Sequence, residues 1–92
     1  MNEEIRQRLA TGAKDVRTRE VLTCLYRDNP QGASFEGLKE LLYLHDDFKE
    51  DSLQQLVDGK VLIVSGMRYK LTASARQVLD RDPVILMDEF LR

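Results

Sequence analysis

The sequence predicts an α+β fold, mostly helical, from three observations. Apolar residues recur at spacings of three and four between Ile5 and Val57, the signature of helices with one buried face. The period falls to two between Val61 and Thr72 and then returns to the helical spacing. Gly or Pro punctuates the changes, at Gly12, Pro30-Gln31-Gly32, Gly59, Gly66 and Pro83. With 92 residues, 42% of them apolar and 33% charged, the chain suits one small soluble domain with a single core.

A short first helix is expected over residues 2–10, with Ile5 and Leu9 on one face and Thr11-Gly12 interrupting it. A second runs from about Asp15 to Asp28 on a stripe of Val16, Val21, Leu22, Leu25 and Tyr26, and Asn29-Pro30-Gln31-Gly32 closes it. Ser34 is placed to cap a third, Phe35 to Leu44, with Phe35, Leu38, Leu41 and Leu42 inward. His45-Asp46-Asp47-Phe48 reads as a tight turn. Lys49 to Asp58 follows as a helix with Leu53, Leu56 and Val57 inward, Asp47 and Glu50 at capping-box spacing, and Gly59 as its C′ residue. Val61–Val64 and Met67–Thr72, joined at Ser65-Gly66, read as a β-hairpin. Alternation puts Arg68 and Lys70 on one face and Tyr69 on the other. Ala73 to Leu79 returns to helix with Ala75, Val78 and Leu79 inward. Asp82-Pro83 opens a last apolar helix over residues 84–91. The chain thus divides into an N-terminal helix (1–14), a core (15–82) and a C-terminal apolar helix (83–92).

Composition excludes much chemistry. One His and one Cys cannot build a His/Cys zinc site within one chain, and an internal disulfide is impossible. The phosphate-loop, dinucleotide, zinc-protease and nucleophile-elbow motifs are absent. No catalytic residue, metal or cofactor is therefore expected. His45 beside Asp46 reads as a solvated or capping turn residue rather than a general base. Cys24, beside the Val21–Leu25 stripe, reads as a buried small hydrophobe rather than a redox sensor. Tyr26 and Tyr43 read as core-edge residues. No apolar run approaches the roughly 20 residues of a membrane span. Met1-Asn2-Glu3-Glu4 does not begin a signal peptide, so a cytoplasmic location is expected.

The net charge of −2 conceals an uneven distribution. Residues 1–33 carry six Lys/Arg against five Asp/Glu, residues 34–59 two against seven, residues 60–82 five against two, and residues 83–92 one against two. An acidic middle therefore adjoins a basic hairpin segment, and the two present different electrostatic faces. Net −2 is too small for a mimic of a polyanion.

Two packed helices, a turn, a glycine-terminated third helix and a hairpin follow the order of a winged helix-turn-helix domain, a three-helix core plus a β-hairpin wing, here with extra N- and C-terminal helices. Ser52-Leu53-Gln54-Gln55-Leu56-Val57-Asp58-Gly59-Lys60-Val61-Leu62 resembles the end of a recognition helix running into the first wing strand. Arg68-Tyr69-Lys70-Leu71-Thr72-Ala73-Ser74-Ala75-Arg76 resembles the second wing strand and the L-T-x-x-G-R opening of the next helix, with Ala75 in place of the glycine. Both are similar to MarR-like and PadR-like bacterial regulators over about residues 16–80, and the small size also suits a phage or prophage regulator. The resemblance implies a DNA-binding transcriptional regulator that acts as a homodimer, with the third helix in the major groove and the wing on the backbone or minor groove.

The residues qualify that implication. With Leu53, Leu56 and Val57 inward, the opposite face of the third helix holds Asp51, Gln55 and Asp58, flanked by Ser52 and Gln54. Carboxylates repel phosphates, whereas Gln can pair with adenine edges. The preferred expectation is duplex DNA, bound by Arg68, Tyr69 and Lys70 on the wing, Ser52, Gln54 and Gln55 on the third helix, and Arg17 and Arg19 as backbone contacts. The runner-up is a protein-interaction adapter that docks its acidic third helix on a basic partner. Met67, at the wing tip, would be a minor-groove wedge in the first reading and an apolar protein contact in the second. The broad apolar surface of Val84, Ile85, Met87, Phe90 and Leu91, joined by Ile5 and Leu9, is expected to form a homodimer seam.

Overall fold

The computed structural model describes residues 2–44 and 48–87. Helix α1 (Asn2–Ala13) is followed by α2 (Val16–Thr23), which runs on into a π-helical turn, Cys24–Asp28. Strand β1 (Ala33–Ser34), α3 (Phe35–Leu42) and α4 (Glu50–Asp58) precede a hairpin of β2 (Leu62–Ser65) and β3 (Arg68–Leu71). Helix α5 (Ala73–Arg81) and a 3-10 turn, Pro83–Leu86, complete the described chain. The fold is α+β and mostly helical, with one antiparallel sheet of order β1-β3-β2.

The core forms where the helical stripes meet the inner face of the sheet. Leu9, Val21, Leu22, Leu25, Leu38, Leu53, Val61, Leu62 and Leu79 are completely or almost completely removed from water. Burying such a side chain contributes about 1.5–3 kcal/mol, so these residues dominate the stability. Helix α1 packs on α2 and α5, which buries Ile5 and Leu9 within the chain's own core. They are therefore not available to a dimer seam, contrary to the sequence expectation.

The helix starts follow capping chemistry. Asp15 caps α2 by accepting from the Thr18 amide at 2.9 Å and the Thr18 hydroxyl at 2.8 Å. These bonds, the backbone one first, hold its carboxyl below the usual carboxylate range. Ser34 caps α3, accepting from Gly37 N at 3.0 Å, as its position in the sequence predicts. Thr72 caps α5, accepting from Ala75 N at 3.1 Å, and donates its hydroxyl hydrogen to Lys60 O at 2.8 Å. One side chain thus starts α5 and ties the base of the hairpin to the end of α4.

Several local expectations are corrected. Helix α1 does not stop at Thr11-Gly12 but reaches Ala13. A side chain at Gly12 would lie 3.3 Å from Thr18 Cγ2 and 3.7 Å from Leu56 Cδ2, so its glycine admits close packing rather than ending the helix. Helix α3 ends at Leu42 because Tyr43 turns left-handed at φ 53. Tyr43 is 88% exposed rather than at the core edge, and Leu41 also faces water. Lys49 occupies the N-cap of α4 without a side-chain bond, so Glu50 is not the far end of a capping box; Asp47, with His45 and Asp46, lies outside the described residues. Gly59 has φ −84 and the left-handed residue is Lys60, at φ 68. The apolar 84–91 segment is not an α-helix at its start: Pro83–Leu86 form a 3-10 turn and Met87 is extended. Asp82 sits at the N-cap there without capping, because its carboxylate pairs with Arg6. Phe90 and Leu91 lie outside the described residues.

Candidate interaction surface

The outer surface of α4 follows from its sequence, Glu-Asp-Ser-Leu-Gln-Gln-Leu-Val-Asp, which contains no Lys or Arg. Leu53 and Leu56 are buried and Val57 is half-buried. That orientation leaves Glu50, Asp51, Gln54, Gln55 and Asp58 exposed. Gln54 donates to Asp58 at 3.2 Å, so its amide is committed along the helix. Ser52 and Gln55 are turned toward α1, where they line an open groove of about 610 Å³ with Arg8, Thr11, Asp15 and Thr18. Arg8 there is paired with Glu4 at 2.8 Å.

The hairpin presents two unlike faces. Gly66 has φ 57 and Met67 does not share the positive sign, the pattern of a two-residue II′ turn. Cross-strand partners are Ser65 with Arg68, Val64 with Tyr69, Ile63 with Lys70 and Leu62 with Leu71. Arg68 and Lys70 are exposed, as is Lys60 at the hairpin base. No acidic partner approaches these three cations among the described residues. On the other face Tyr69 is only 6% exposed, and its hydroxyl donates to Glu50 Oε2 at 2.6 Å. That bond first, then burial, raises the Tyr69 pKa to about 12. Tyr69 is therefore a brace between β3 and the first turn of α4, not an exposed contact as the sequence reading has it.

The arginines are largely occupied elsewhere. Arg19, expected on a DNA backbone, donates to Ala13 O at 3.1 Å and so closes the end of α1. Arg17 is half-buried with interactions of its own. Arg76 donates to Leu25 O at 3.1 Å and Tyr26 O at 3.2 Å, with its guanidinium 5.2 Å from the centre of the Tyr26 ring. It satisfies carbonyls that the π turn leaves open, a role that sequence spacing does not reveal because 51 residues separate donor and acceptor. Tyr26 in turn donates to Asp80 at 2.5 Å, which raises its pKa. Cys24 is buried, as expected, and accepts from Asn29 Nδ2 at 3.1 Å.

The eight residues expected to touch DNA are thus not brought together. Arg68 and Lys70 share one hairpin face, Gln54 lies on the acidic ridge of α4, Ser52 and Gln55 face α1, and Tyr69 and Arg19 serve the fold. Of the expected dimer seam, Val84 and Met87 remain exposed while Ile85 packs against the core. No described helix is long and apolar enough to cross a membrane. Comparison with protein-family models, curated proteins and solved structures found no match to this chain.

Proposed function

We propose that the chain is a winged helix domain used for protein recognition, with the outer face of α4 docking on a basic partner. The order helix, short strand, two helices, hairpin supports the winged helix assignment. So does the pairing of Ala33 with Tyr69 and of Ser34 with Arg68, which joins the strand before α3 to the hairpin.

The observation that carries the functional reading is the charge of α4: Glu50, Asp51 and Asp58 are exposed, and no cation stands between Glu50 and Asp58, Lys49 lying outside at the N-cap. A phosphate about 4 Å from a carboxylate costs about 1 kcal/mol even in bulk water, and more as water leaves the contact. Three such encounters offset what three phosphate-bound cations gain. A helix that enters a major groove is favoured by cations of its own, and α4 has none between Glu50 and Asp58. A basic protein surface meets the same carboxylates favourably.

A second reading, duplex DNA held by the hairpin alone, is favoured by one observation: Lys60, Arg68 and Lys70 are all exposed, with no acidic partner among the described residues. Fluorescence anisotropy of a labelled mixed-sequence duplex separates the two. The protein-recognition reading expects no binding at about 50 mM salt, where backbone-driven association is already strong for DNA-binding domains. Binding that weakens steeply with salt and disappears in the double variant Arg68→Ala, Lys70→Ala overturns it in favour of the second.

A further inference from the structure

The underside of the hairpin, opposite Arg68 and Lys70, carries a groove of about 390 Å³ between the turn and the first turns of α3 and α4. Phe35, Val64, Met67 and Tyr69 give it apolar walls, and Glu36 and Glu50 complete the lining. The positive φ of Gly66 sets the turn that carries Met67, which is 85% exposed. Phe35 stacks on the buried Phe48 with ring centres 6.1 Å apart, and the Lys39 ammonium lies 5.4 Å from the centre of its ring. Ser34 fixes the first turn of α3, and hence Glu36, through its cap. The Tyr69 hydroxyl holds Glu50 through Oε2, which leaves Oε1 to a ligand. Glu36 is exposed and makes no hydrogen bond or ion pair among the described residues.

The chemistry of this groove selects its occupant. Phosphates and acidic peptides meet the two acidic residues of the lining, which outnumber the single Lys39 ammonium over Phe35, and are disfavoured. A neutral apolar segment would strip water from Glu36 and Glu50 without replacing it. An apolar side chain flanked by Lys or Arg satisfies both walls and carboxylates. We infer that the groove anchors one apolar side chain of a basic protein segment, whose flanking cations pair with Glu36 and Glu50. The inference rests on the reading that the acidic face of α4 docks a basic partner: it supplies the apolar anchor, and the segment continues from Glu50 toward Asp51. Its size suits one or two side chains, at the small end of ligand pockets.

The test uses three synthetic probes on the isotopically labelled chain: a short Lys-rich peptide with one central Leu, its twin with Ser for Leu, and its twin with Glu for every Lys. The Leu peptide is expected to shift the Met67 methyl signal and the amides of Phe35, Glu36 and Val64, and to bind about tenfold more tightly than the Ser twin, as burial of one Leu implies. The Glu twin is expected not to bind. Met67→Ser should remove the Leu advantage while leaving thermal unfolding unchanged, since Met67 is almost wholly in water. Glu36→Gln should weaken binding and flatten its salt dependence. Equal affinity for the Leu and Ser peptides, with shifts at Asp51 and Asp58 but none at Met67, overturns the groove and leaves the acidic-face reading standing. Failure of both Lys peptides, with shifts on adding duplex DNA, overturns both.

Discussion

Gly32 and Gly59 both fill tight places, yet their substitutions should differ widely. Gly32 has φ +99, and a Cβ there would lie 2.8 Å from the Tyr69 carbonyl oxygen. The Tyr69 carbonyl is strand backbone and cannot yield, so Gly32→Ala should cost about 2 kcal/mol or more in urea unfolding, combining left-handed strain with the clash. A Cβ at Gly59 would lie 2.9 Å from Arg8 Cδ, the flexible stem of an exposed side chain, and its φ of −84 suits any residue. Gly59→Ala should therefore stay within about 0.5 kcal/mol of the parent. Tyr69 invites a pH test at the same scale. Its phenol is neutral in the fold to about pH 12 against an ordinary value of 10.0, so it contributes stability below pH 10 that is lost as pH rises from 10 to 12. Tyr69→Phe should cost about 1 kcal/mol at neutral pH and remove that alkaline fall from the stability profile. An unchanged profile would mean that the brace to Glu50 does not form in solution.

Among the elements, those announced by strong local chemistry were legible in the sequence. Ser34, Pro30 with Gly32, and Gly66 mark a cap, a break and a turn that the structure contains, and Leu53, Leu56, Val78 and Leu79 face inward as their spacing requires. The elements that were not legible depend on partners remote in sequence. Strand β1 is two residues long, and only pairing with Tyr69 and Arg68 makes it a strand. The π turn after Thr23 reads as ordinary helix until Arg76 is seen to hold its carbonyls. Tyr43 departs because its left-handed φ ends α3 at Leu42, two residues before the expected end at Leu44. At the site, the alternation of Arg68, Tyr69 and Lys70 was legible, but the inward bond of Tyr69 and the occupation of Arg19 were not: Glu50 lies 19 residues from Tyr69, and the Ala13 carbonyl, six residues from Arg19, comes within reach only through the turn between α1 and α2. Arg76→Ala should cost roughly 2 kcal/mol, because two charge-assisted bonds to half-buried carbonyls disappear. Amide hydrogen exchange should then quicken first in residues 24–28. Uniform quickening across α5 instead would place the role of Arg76 within its own helix.

For the whole molecule the decisive quantity is how charge is divided between two neighbouring faces. The hairpin shows Arg68 and Lys70 on one face, with Lys60 exposed at its base, whereas α4 and the groove beneath the hairpin show Glu36, Glu50, Asp51 and Asp58. A near-neutral total hides this polarity, and the fold alone does not choose between the partners that such a surface serves. The measurement that bears most directly on the choice is the affinity for a mixed-sequence duplex of the double variant Asp51→Lys, Asp58→Lys beside the parent. If the carboxylates of α4 exclude nucleic acid, the parent stays unbound at about 50 mM salt while the variant binds, at least tenfold more tightly and with a steep loss on adding salt. If the parent binds the duplex as tightly as the variant does, α4 does not govern the contact, and the protein-recognition account is contradicted.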